Sequence, residues 1–291
     1  MPMSFGGISK SKVATIIVAA DGSGDTTDIQ TGINLLPAGG GVVYIKEGNY
    51  TITSVISITS DNVSLKGAGK ATRVFRDLNT GTLELIGVDF IEIDSIFFES
   101  TGPFTLNQSG ILISDCNTVK VHGCWFDIGN DNGVRIRAAS SDILIDGNSF
   151  FGNCEYGVKA EDSNVVIIVN NSFVDIGAIG CYFHTCDYSV TSGNICDGVV
   201  SFGIHCWDSG YNIFSNNIIK NCISHGILID NDSDRNIIDG NVVIGNGGDG
   251  INILNNGCNN NLIHGNIAYD NTGTNISDSG TGTVSADNIT T

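Results

Sequence analysis

Two scarce residue types lie two positions apart in the stretch GIHCW, where His205 and Trp207 flank Cys206 in a chain that has only five histidines and two tryptophans. Alternate side chains of an extended strand point to the same side, so His205 and Trp207 share one face and Cys206 belongs to the other. A histidine can exchange a proton near neutral pH, and a tryptophan offers a flat apolar platform. We therefore asked which residues lie beside this pair.

A glycine followed by apolar residues recurs every 23 or 24 positions along most of the chain. The repeat glycines are Gly110, Gly133, Gly157, Gly180, Gly203, Gly226, Gly250 and Gly273. From Asn148 onward an asparagine follows each glycine by 14 to 16 residues, which indicates a ladder of asparagines at a repeated turn. Units of this length with short apolar runs and no helical period stack as a parallel β-solenoid. We therefore predict an all-β, single-stranded parallel β-helix.

The strand after each repeat glycine is predicted to alternate between the core and the surface. Residues one and three positions past the glycine are apolar or thiol and should point inward, while those two and four positions past it should point outward. The outward residues are Arg135, Lys159, Tyr182 and His205 in one column and Arg137, Glu161, His184, Trp207 and Asp230 in the next. Neighbouring coils lie about 4.8 Å apart, so these residues should form one continuous surface, here called the outward strip.

The outward strip collects groups that suit an acidic sugar polymer. Three of the five basic residues that follow Asp131 lie in it, and arginine pairs with carboxylates in a fork geometry. Removing the C5 proton of a uronate needs a base, an acid and a positive group beside the carboxylate. Lys159, Tyr182 and His205 are the candidate acids and bases, and Arg135 is the candidate for carboxylate stabilisation. The expected substrate-binding residues are Arg137, Glu161, His184, Trp207, Asp230 and His225, the last of which directly precedes Gly226 and can overhang the strip.

Hydrolysis is disfavoured by the spacing of the carboxylates. A glycosidase needs two carboxyl groups within about 10 Å of each other. Glu161 and Asp230 lie three coils apart, which is about 14 Å. Calcium is the only metal considered, with Asp131, Glu155 and Glu161 as candidate ligands, and no other cofactor or metal site is predicted.

Both ends of the chain differ from the repeat. Thr27 or Asp28 can start a helix, apolar residues follow at helical spacing, and Pro37 can end it, so a cap helix is expected at about residues 26–36. We divide the chain into an N-terminal segment and cap (1–40), the solenoid (41–272), and a last weak coil or polar tail (273–291).

The composition and the N-terminal sequence limit the classes of partner that the protein can bind and the compartments in which it can reside. A net charge of −18 argues against a nucleic-acid or anionic-membrane surface. Nine cysteines without paired CxxC spacing are expected to be free and buried. The N-terminal sequence lacks the features of a secretory signal, which leaves the compartment open between a cytosolic protein, a virion-associated protein and a secreted mature form.

The chain resembles the pectin-lyase-like superfamily of right-handed β-helices. The resemblance rests on AADGSGDTTDIQTGINLLPAGGGVVYIKEGNYTI followed by coils closing on DGNSF, SGNIC, DGNVV and HGNIA. That superfamily includes pectate lyases, polygalacturonases, alginate and chondroitin lyases, mannuronan epimerases and phage tailspikes. The resemblance implies a right-handed coil and a lyase or epimerase acting on an acidic glycan. The alternative it implies is a non-catalytic glycan-binding fibre or adhesin. The resemblance also implies a monomer or a homotrimer. The sequence lacks the adjacent Asp-Asp pair of the polygalacturonases, which again argues against hydrolysis.

Overall fold

Three parallel sheets form the walls of a solenoid in the computed structural model, which describes residues 14–77, 80–100, 108–129, 131–152 and 154–290. Strands are numbered in chain order. Within these ranges sheet A contains β1 Ala14–Val18, β2 Gly41–Ile45, β5 Val63–Lys66, β8 Asp89–Asp94, β11 Asn117–His122, β14 Ser141–Asp146, β17 Asn164–Val169, β20 Val190–Ser192, β23 Ile213–Ser215, β26 Ile237–Asp239, β29 Leu262–His264 and β32 Val284–Ala286. Sheet B contains β3 Gly48–Ile52, β6 Thr72–Arg76, β9 Phe97–Ser100, β12 Trp125–Ile128, β15 Ser149–Phe151, β18 Ser172–Val174, β21 Ile195–Asp197, β24 Ile218–Lys220, β27 Val242–Ile244, β30 Ile267–Tyr269 and β33 Ile289–Thr290. Sheet C contains β4 Ile56–Ile58, β7 Leu83–Ile86, β10 Ser109–Ser114, β13 Asn132–Arg137, β16 Tyr156–Glu161, β19 Ile179–His184, β22 Phe202–Trp207, β25 Ile227–Asp230, β28 Ile251–Ile253 and β31 Ile276–Asp278.

Each regular coil contributes one strand to sheets C, A and B in turn, as β13, β14 and β15 do. Strands of one sheet pair in parallel with the corresponding strands of the coils before and after. The predicted parallel β-helix is therefore confirmed. Among the described residues, no helix is long and apolar enough to span a bilayer.

The core is a column of side chains that repeats coil by coil. The fourteen residues that lie one and three positions past the first seven repeat glycines, and that are predicted to point inward, are all fully buried. On the opposite wall, Phe98, Phe126, Phe150 and Phe173 stack with ring centroids 5.3, 4.7 and 4.8 Å apart. The nine cysteines are free and buried, as predicted.

The repeat glycines are needed because two coils and the aromatic stack meet at their position. A Cβ built on Gly133 would lie 2.5 Å from the Phe150 ring and 2.7 Å from the carbonyl oxygen of Gly157 in the next coil. Real Cβ atoms do not approach other atoms so closely. The 23 to 24 residue period of glycines thus follows from close packing inside the coil.

Buried asparagines connect the coils at the corner between sheets A and B. The side-chain oxygen of Asn194 accepts from the backbone N–H of Asn171 at 2.9 Å, and its amide donates to the carbonyl of Ile168 at 2.8 Å. The same pattern continues through Asn217 and Asn241. The ladder satisfies backbone groups that would otherwise be buried without a partner at each turn.

One short helix, α1 Ile29–Asn34, precedes the regular coils. Asp28 is its N-cap and accepts a hydrogen bond from the backbone N–H of Thr31 at 2.7 Å. Ile29 and Ile33 are buried in the core, and Gln30 exchanges hydrogen bonds with the backbone of Ser57. The helix is shorter than the 26–36 span expected from the sequence, and its function as a cap stays a prediction.

Stability should depend on the inner aromatic stack. Phe173→Ala is expected to lower the free energy of unfolding by roughly 3 to 5 kcal/mol, because the site is fully buried and enclosed by neighbouring coils. Denaturant unfolding measures this change. The matched control is Ile223→Ala, which truncates a side chain that is 67% exposed and should change stability by less than about 0.5 kcal/mol. Equal losses in the two variants would contradict the assignment of Phe173 to a packed stack.

Candidate functional site

Sheet C brings the outward strip together as predicted. Arg135, Lys159, Tyr182 and His205 are direct register partners on β13, β16, β19 and β22. Glu161, His184, Trp207 and Asp230 form the second column in the same way. Side chains from five successive coils therefore share one surface, although Arg135 and Asp230 are 95 positions apart in the sequence.

One end of the strip is cationic and organised by Glu161. Its carboxylate accepts from Arg135 Nε at 2.7 Å and from Lys159 Nζ at 3.1 Å. Burial acts to raise the pKa of Glu161, but the hydrogen bonds from Arg135 and Lys159 outweigh it and hold that pKa below its usual value. Glu161 is therefore a fixed negative charge that orients two cations.

Arg137 lies beside this cluster and forms no ion pair with any residue in the described part of the chain. It borders a shallow open depression of about 380 Å³, which is lined by Ser114, Arg135, Arg137, Ala138, Glu161 and Asp162. An unpaired guanidinium in a partly enclosed depression is a suitable binding group for a carboxylate.

The other end of the strip is aromatic. The ring centroids of Tyr182 and His205 are 5.1 Å apart, and those of His205 and Trp207 are 5.8 Å apart. Phe202 packs against His205 with the centroids 5.0 Å apart. Tyr182, His205 and Trp207 thus form one contiguous set of rings on β19 and β22.

The prediction that His205 is exposed is wrong. His205 lies on the outward side of sheet C, but only 6% of it is exposed, because the Tyr182, Phe202 and Trp207 rings cover it. Neither ring nitrogen has a hydrogen-bond partner among the described residues. Burial lowers the pKa of His205 to about 4, with smaller contributions from the charges of His184 and His225. His205 is therefore neutral at physiological pH.

The pKa of Tyr182 is shifted in the opposite direction from that of His205. Burial, followed by the neighbouring Tyr156 and Glu161, raises the pKa of Tyr182 to about 12. The phenol therefore keeps its proton at neutral pH and can act as a donor. A neutral imidazole next to a protonated phenol is a base and acid pair in one location.

The remaining predicted residues lie around these two centres. The His184 ring is stacked on Tyr182 with a centroid separation of 6.1 Å. His225 stacks on Phe202 at 5.8 Å and accepts the backbone N–H of Asp249 through Nδ1 at 2.8 Å. Asp230 accepts hydrogen bonds from the Asn231 backbone and the Asn255 amide. Its carboxylate is therefore already engaged by neighbouring groups.

Two of the three carboxylates suggested as calcium ligands, those of Asp131 and Glu161, are already engaged by basic side chains. Asp131 is fully buried and paired with Arg76 at 2.8 Å, and Glu161 is bound to Arg135 and Lys159. No group of three or more His, Cys, Asp or Glu side chains in the described ranges is arranged to hold a metal. The described residues therefore do not form a calcium site.

Sequence reasoning missed a third column, at the position directly before each repeat glycine, in which Tyr156 and Phe202 are partly exposed and Asn132 and Ile179 are buried. Asn132, Tyr156, Ile179 and Phe202 are register partners there. Lys159 Nζ lies 5.0 Å from the Tyr156 ring, and Phe202 covers His205. Strict period-two alternation places this position inward, like the residues one and three past the glycine, so the sequence pattern did not identify this column. The alternation breaks at the glycine itself, where a Cβ on Gly133 would point into the core against Phe150.

Comparison with known proteins confirms the family. The sequence matches the family described as "Right handed beta helix region" over residues 38–195 and again over 132–290. A "Probable pectinesterase/pectinesterase inhibitor 19" of Arabidopsis thaliana is 33% identical over 105 residues, which are 32% of this chain and 20% of the plant protein. The chain thus matches about a fifth of that relative's length.

Two solved structures share the fold over almost the whole chain. The ORF18 protein of Geobacillus virus E2 superimposes with a TM-score of 0.64 and 16% identity, covering 94% of this chain and 60% of the viral one. A point mutant of the periplasmic alginate epimerase AlgG superimposes with a TM-score of 0.58 and 13% identity, covering 91% of this chain and 83% of the epimerase. At these identities the likeness establishes the fold.

Burial of His205 should make stability pH-dependent. In the unfolded chain His205 has the ordinary histidine pKa of about 6.5, so between pH 6.5 and pH 4 it is protonated in the unfolded state and neutral in the folded state. Its contribution to the free energy of unfolding is therefore full above pH 6.5, and it falls by about 3 kcal/mol as the pH drops to 4. Unfolding free energies of the wild type and His205→Leu, compared across this range, isolate the effect. Parallel pH curves for the two proteins would contradict it.

Proposed function

The chain belongs to the right-handed β-helix family, and from that premise we propose that the outward strip binds an acidic, uronate-containing polysaccharide and transfers a proton at C5 of a uronate. The observation that carries the proposal is the pair formed by Tyr182 and His205, whose rings lie 5.1 Å apart on adjacent strands. The reaction is a β-elimination or an epimerisation, since both begin with removal of the same proton.

The charge distribution supports an acidic ligand. Arg135, Arg137 and Lys159 supply three positive charges, and Glu161 and Asp162 supply two negative charges, so this cluster is positive by one in a chain of net charge −18. A polyanion would be repelled by most of the surface and attracted here. Trp207 offers an apolar platform on the same strip.

Each group has a defined part in the proposed step. Neutral His205 takes the C5 proton, and the electron pair of that C–H bond delocalises into the uronate carboxylate. Lys159, the register partner of Tyr182, stabilises the developing charge. In elimination the C4–O bond breaks, its electron pair leaves with the oxygen, Tyr182 protonates that oxygen, and a C4=C5 double bond forms. In epimerisation Tyr182 instead gives its proton to C5 on the opposite face, and the C4–O bond stays intact.

Two of the expected roles change with the geometry. Lys159 donates to Glu161 at 3.1 Å, so we assign it to charge stabilisation in preference to base catalysis. Arg135 and Arg137 both lie three strands from His205, which is about 14 Å. Arg135 is therefore too far away to stabilise the reacting carboxylate, and both arginines bind the carboxylate of a different sugar unit. Access to His205 requires the Tyr182 or Trp207 ring to turn aside, because only 6% of His205 is exposed.

Glycan binding without catalysis is the second candidate function. The same burial of His205 favours it, since a base that is covered by three rings is shielded from substrate. In that case Arg137 and Trp207 bind the glycan, and Tyr182 and His205 only support the platform.

A panel of acidic polymers separates these functions. With polygalacturonate or alginate, a lyase forms unsaturated products that absorb in the ultraviolet, and an epimerase exchanges C5 hydrogen for deuterium in heavy water without cleavage. Tyr182→Phe and His205→Gln should each lower either rate by roughly 100-fold or more, because each removes one proton-transfer group. Arg137→Ala should mainly weaken binding, and binding should weaken as salt rises.

Lys220→Ala is the matched control, because it removes one positive charge from sheet B and leaves the outward strip intact. Its rates should equal those of the wild type. If an acidic polymer binds, Trp207→Ala abolishes this binding, and neither unsaturated product nor deuterium exchange is detected, the non-catalytic function is established. If no acidic polymer binds, both proposed functions are wrong.

The pH profile tests the identity of the base. If His205 is the base, the acid limb of kcat/KM should lie near pH 4, well below the ordinary histidine value of about 6.5, because the free enzyme's base sets that limb. The rate should then stay constant through neutral pH, since the pKa of Tyr182 is raised to about 12. An acid limb near pH 6.5 would assign the base to another group.

A further inference from the structure

A second cluster of aromatic residues lies on the outward face of sheet B. Phe97 on β9 and Trp125 on β12 are direct register partners, and Phe151 follows on β15. Their sequence neighbours Phe98 and Phe126 are buried in the core stack, so Phe97 and Trp125 point away from it. The ring centroids of Phe97 and Phe151 are 6.0 Å apart. The three partly exposed rings thus form a platform on a different wall from the outward strip.

Two basic side chains contact this platform. Lys70 Nζ, from the short 3₁₀ turn Gly69–Ala71, lies 5.5 Å from the centroid of the Trp125 ring and 5.8 Å from that of Phe151. Arg73 lies 5.4 Å from the Phe97 ring and is paired with Glu99. Such cation–π contacts contribute modestly at exposed sites, so they favour this arrangement of the rings.

Carboxylates border the rings as well. Asp127 and Glu99 are register partners, and Asp127 also pairs in register with Phe151. Gly152 leaves room for the Asp127 side chain, since a Cβ at that position would collide with the carboxylate. Asp127 has no ion pair among the residues that the structure describes. Hydrogen-bond acceptors and donors therefore both surround the aromatic surface.

The charges of this cluster cancel. Lys70 and Arg73 contribute two positive charges, and Glu99 and Asp127 contribute two negative charges, so the sum is zero. The cationic cluster of the outward strip, in contrast, is positive by one. A uronate would meet the Asp127 and Glu99 carboxylates here without a surplus of cations to offset them.

We propose that Phe97, Trp125, Phe151, Lys70 and Asp127 form a binding site for a neutral sugar ring of a glycan. The C–H face of a pyranose packs on the indole of Trp125, in the way that apolar surface packs on aromatic rings. Sugar hydroxyls are both donors and acceptors, so they can donate to the Asp127 carboxylate and accept from the Lys70 ammonium. This sheet B site is non-catalytic and independent of the reaction proposed for sheet C.

The two tryptophans of the chain allow each face to be measured separately, because Trp125 lies on sheet B and Trp207 on sheet C. In the variant Trp207→Phe, the only tryptophan emission comes from Trp125. Titration with neutral cello-, galacto- and manno-oligosaccharides should change that emission saturably for at least one of them. The affinity should be the same at low and high salt, since no net charge is neutralised.

Calorimetry on the otherwise unchanged chain supplies the energetic test. Trp125→Ala should weaken binding of the same neutral oligosaccharide roughly tenfold, the scale expected for a lost aromatic contact. Tyr188→Ala, which removes a tyrosine that is 60% exposed at another location, is the matched control and should leave the affinity unchanged.

Three outcomes would overturn the proposal. The first is that no neutral oligosaccharide changes the emission of Trp125. The second is that acidic oligosaccharides change it more strongly than neutral ones, which would assign the wrong ligand class. The third is that Trp125→Ala lowers the sedimenting mass of the protein, which would make this patch a contact between copies of the chain. The sheet C function is tested separately with Trp125→Phe, which retains the whole outward strip.

Discussion

The whole molecule depends on stacking its coils at one hydrogen-bonding distance, about 4.8 Å, without a slip in register. A shift of one residue would turn every inward side chain outward, so register must be held at each coil. The buried asparagines at the A and B corner hold it by bonding the backbone of the coil before. The repeat glycines permit it, because a Cβ at Gly133 would collide with both Phe150 and the next coil.

This constraint converts periodicity into surfaces. Residues 23 to 24 positions apart become neighbours on adjacent strands. Residues of one type that recur at this period therefore form a column on one sheet. Sheet C presents cations that give way to aromatic rings, and sheet B presents three rings bordered by balanced charges. The two tryptophans lie on separate walls because the repeat places Trp207 on sheet C and Trp125 on sheet B.

Burial on an outward face produces the chemistry of the candidate site. Partial or near-complete removal from water favours the neutral form of both Tyr182 and His205, and it moves their pKa values in opposite directions, to about 12 and about 4. A donor and an acceptor of protons therefore coexist at neutral pH. Glu161, which keeps its negative charge through Arg135 and Lys159, fixes the cations at the neighbouring end of the strip.

The sequence by itself determined the parallel β-helix, the inward residues and the membership of the two predicted columns of the outward strip, because these depend only on the repeat period and on the alternation of a strand. Tertiary structure decided what each side chain meets across coils. It buried His205 beneath Tyr182, Phe202 and Trp207, and it paired Asp131 with Arg76 from 55 positions earlier. Such contacts depend on the side-chain rotamers and on which residues face each other in neighbouring coils. The repeat period specifies the strand and the face on which a residue lies, but it does not specify which rings and charges contact its side chain.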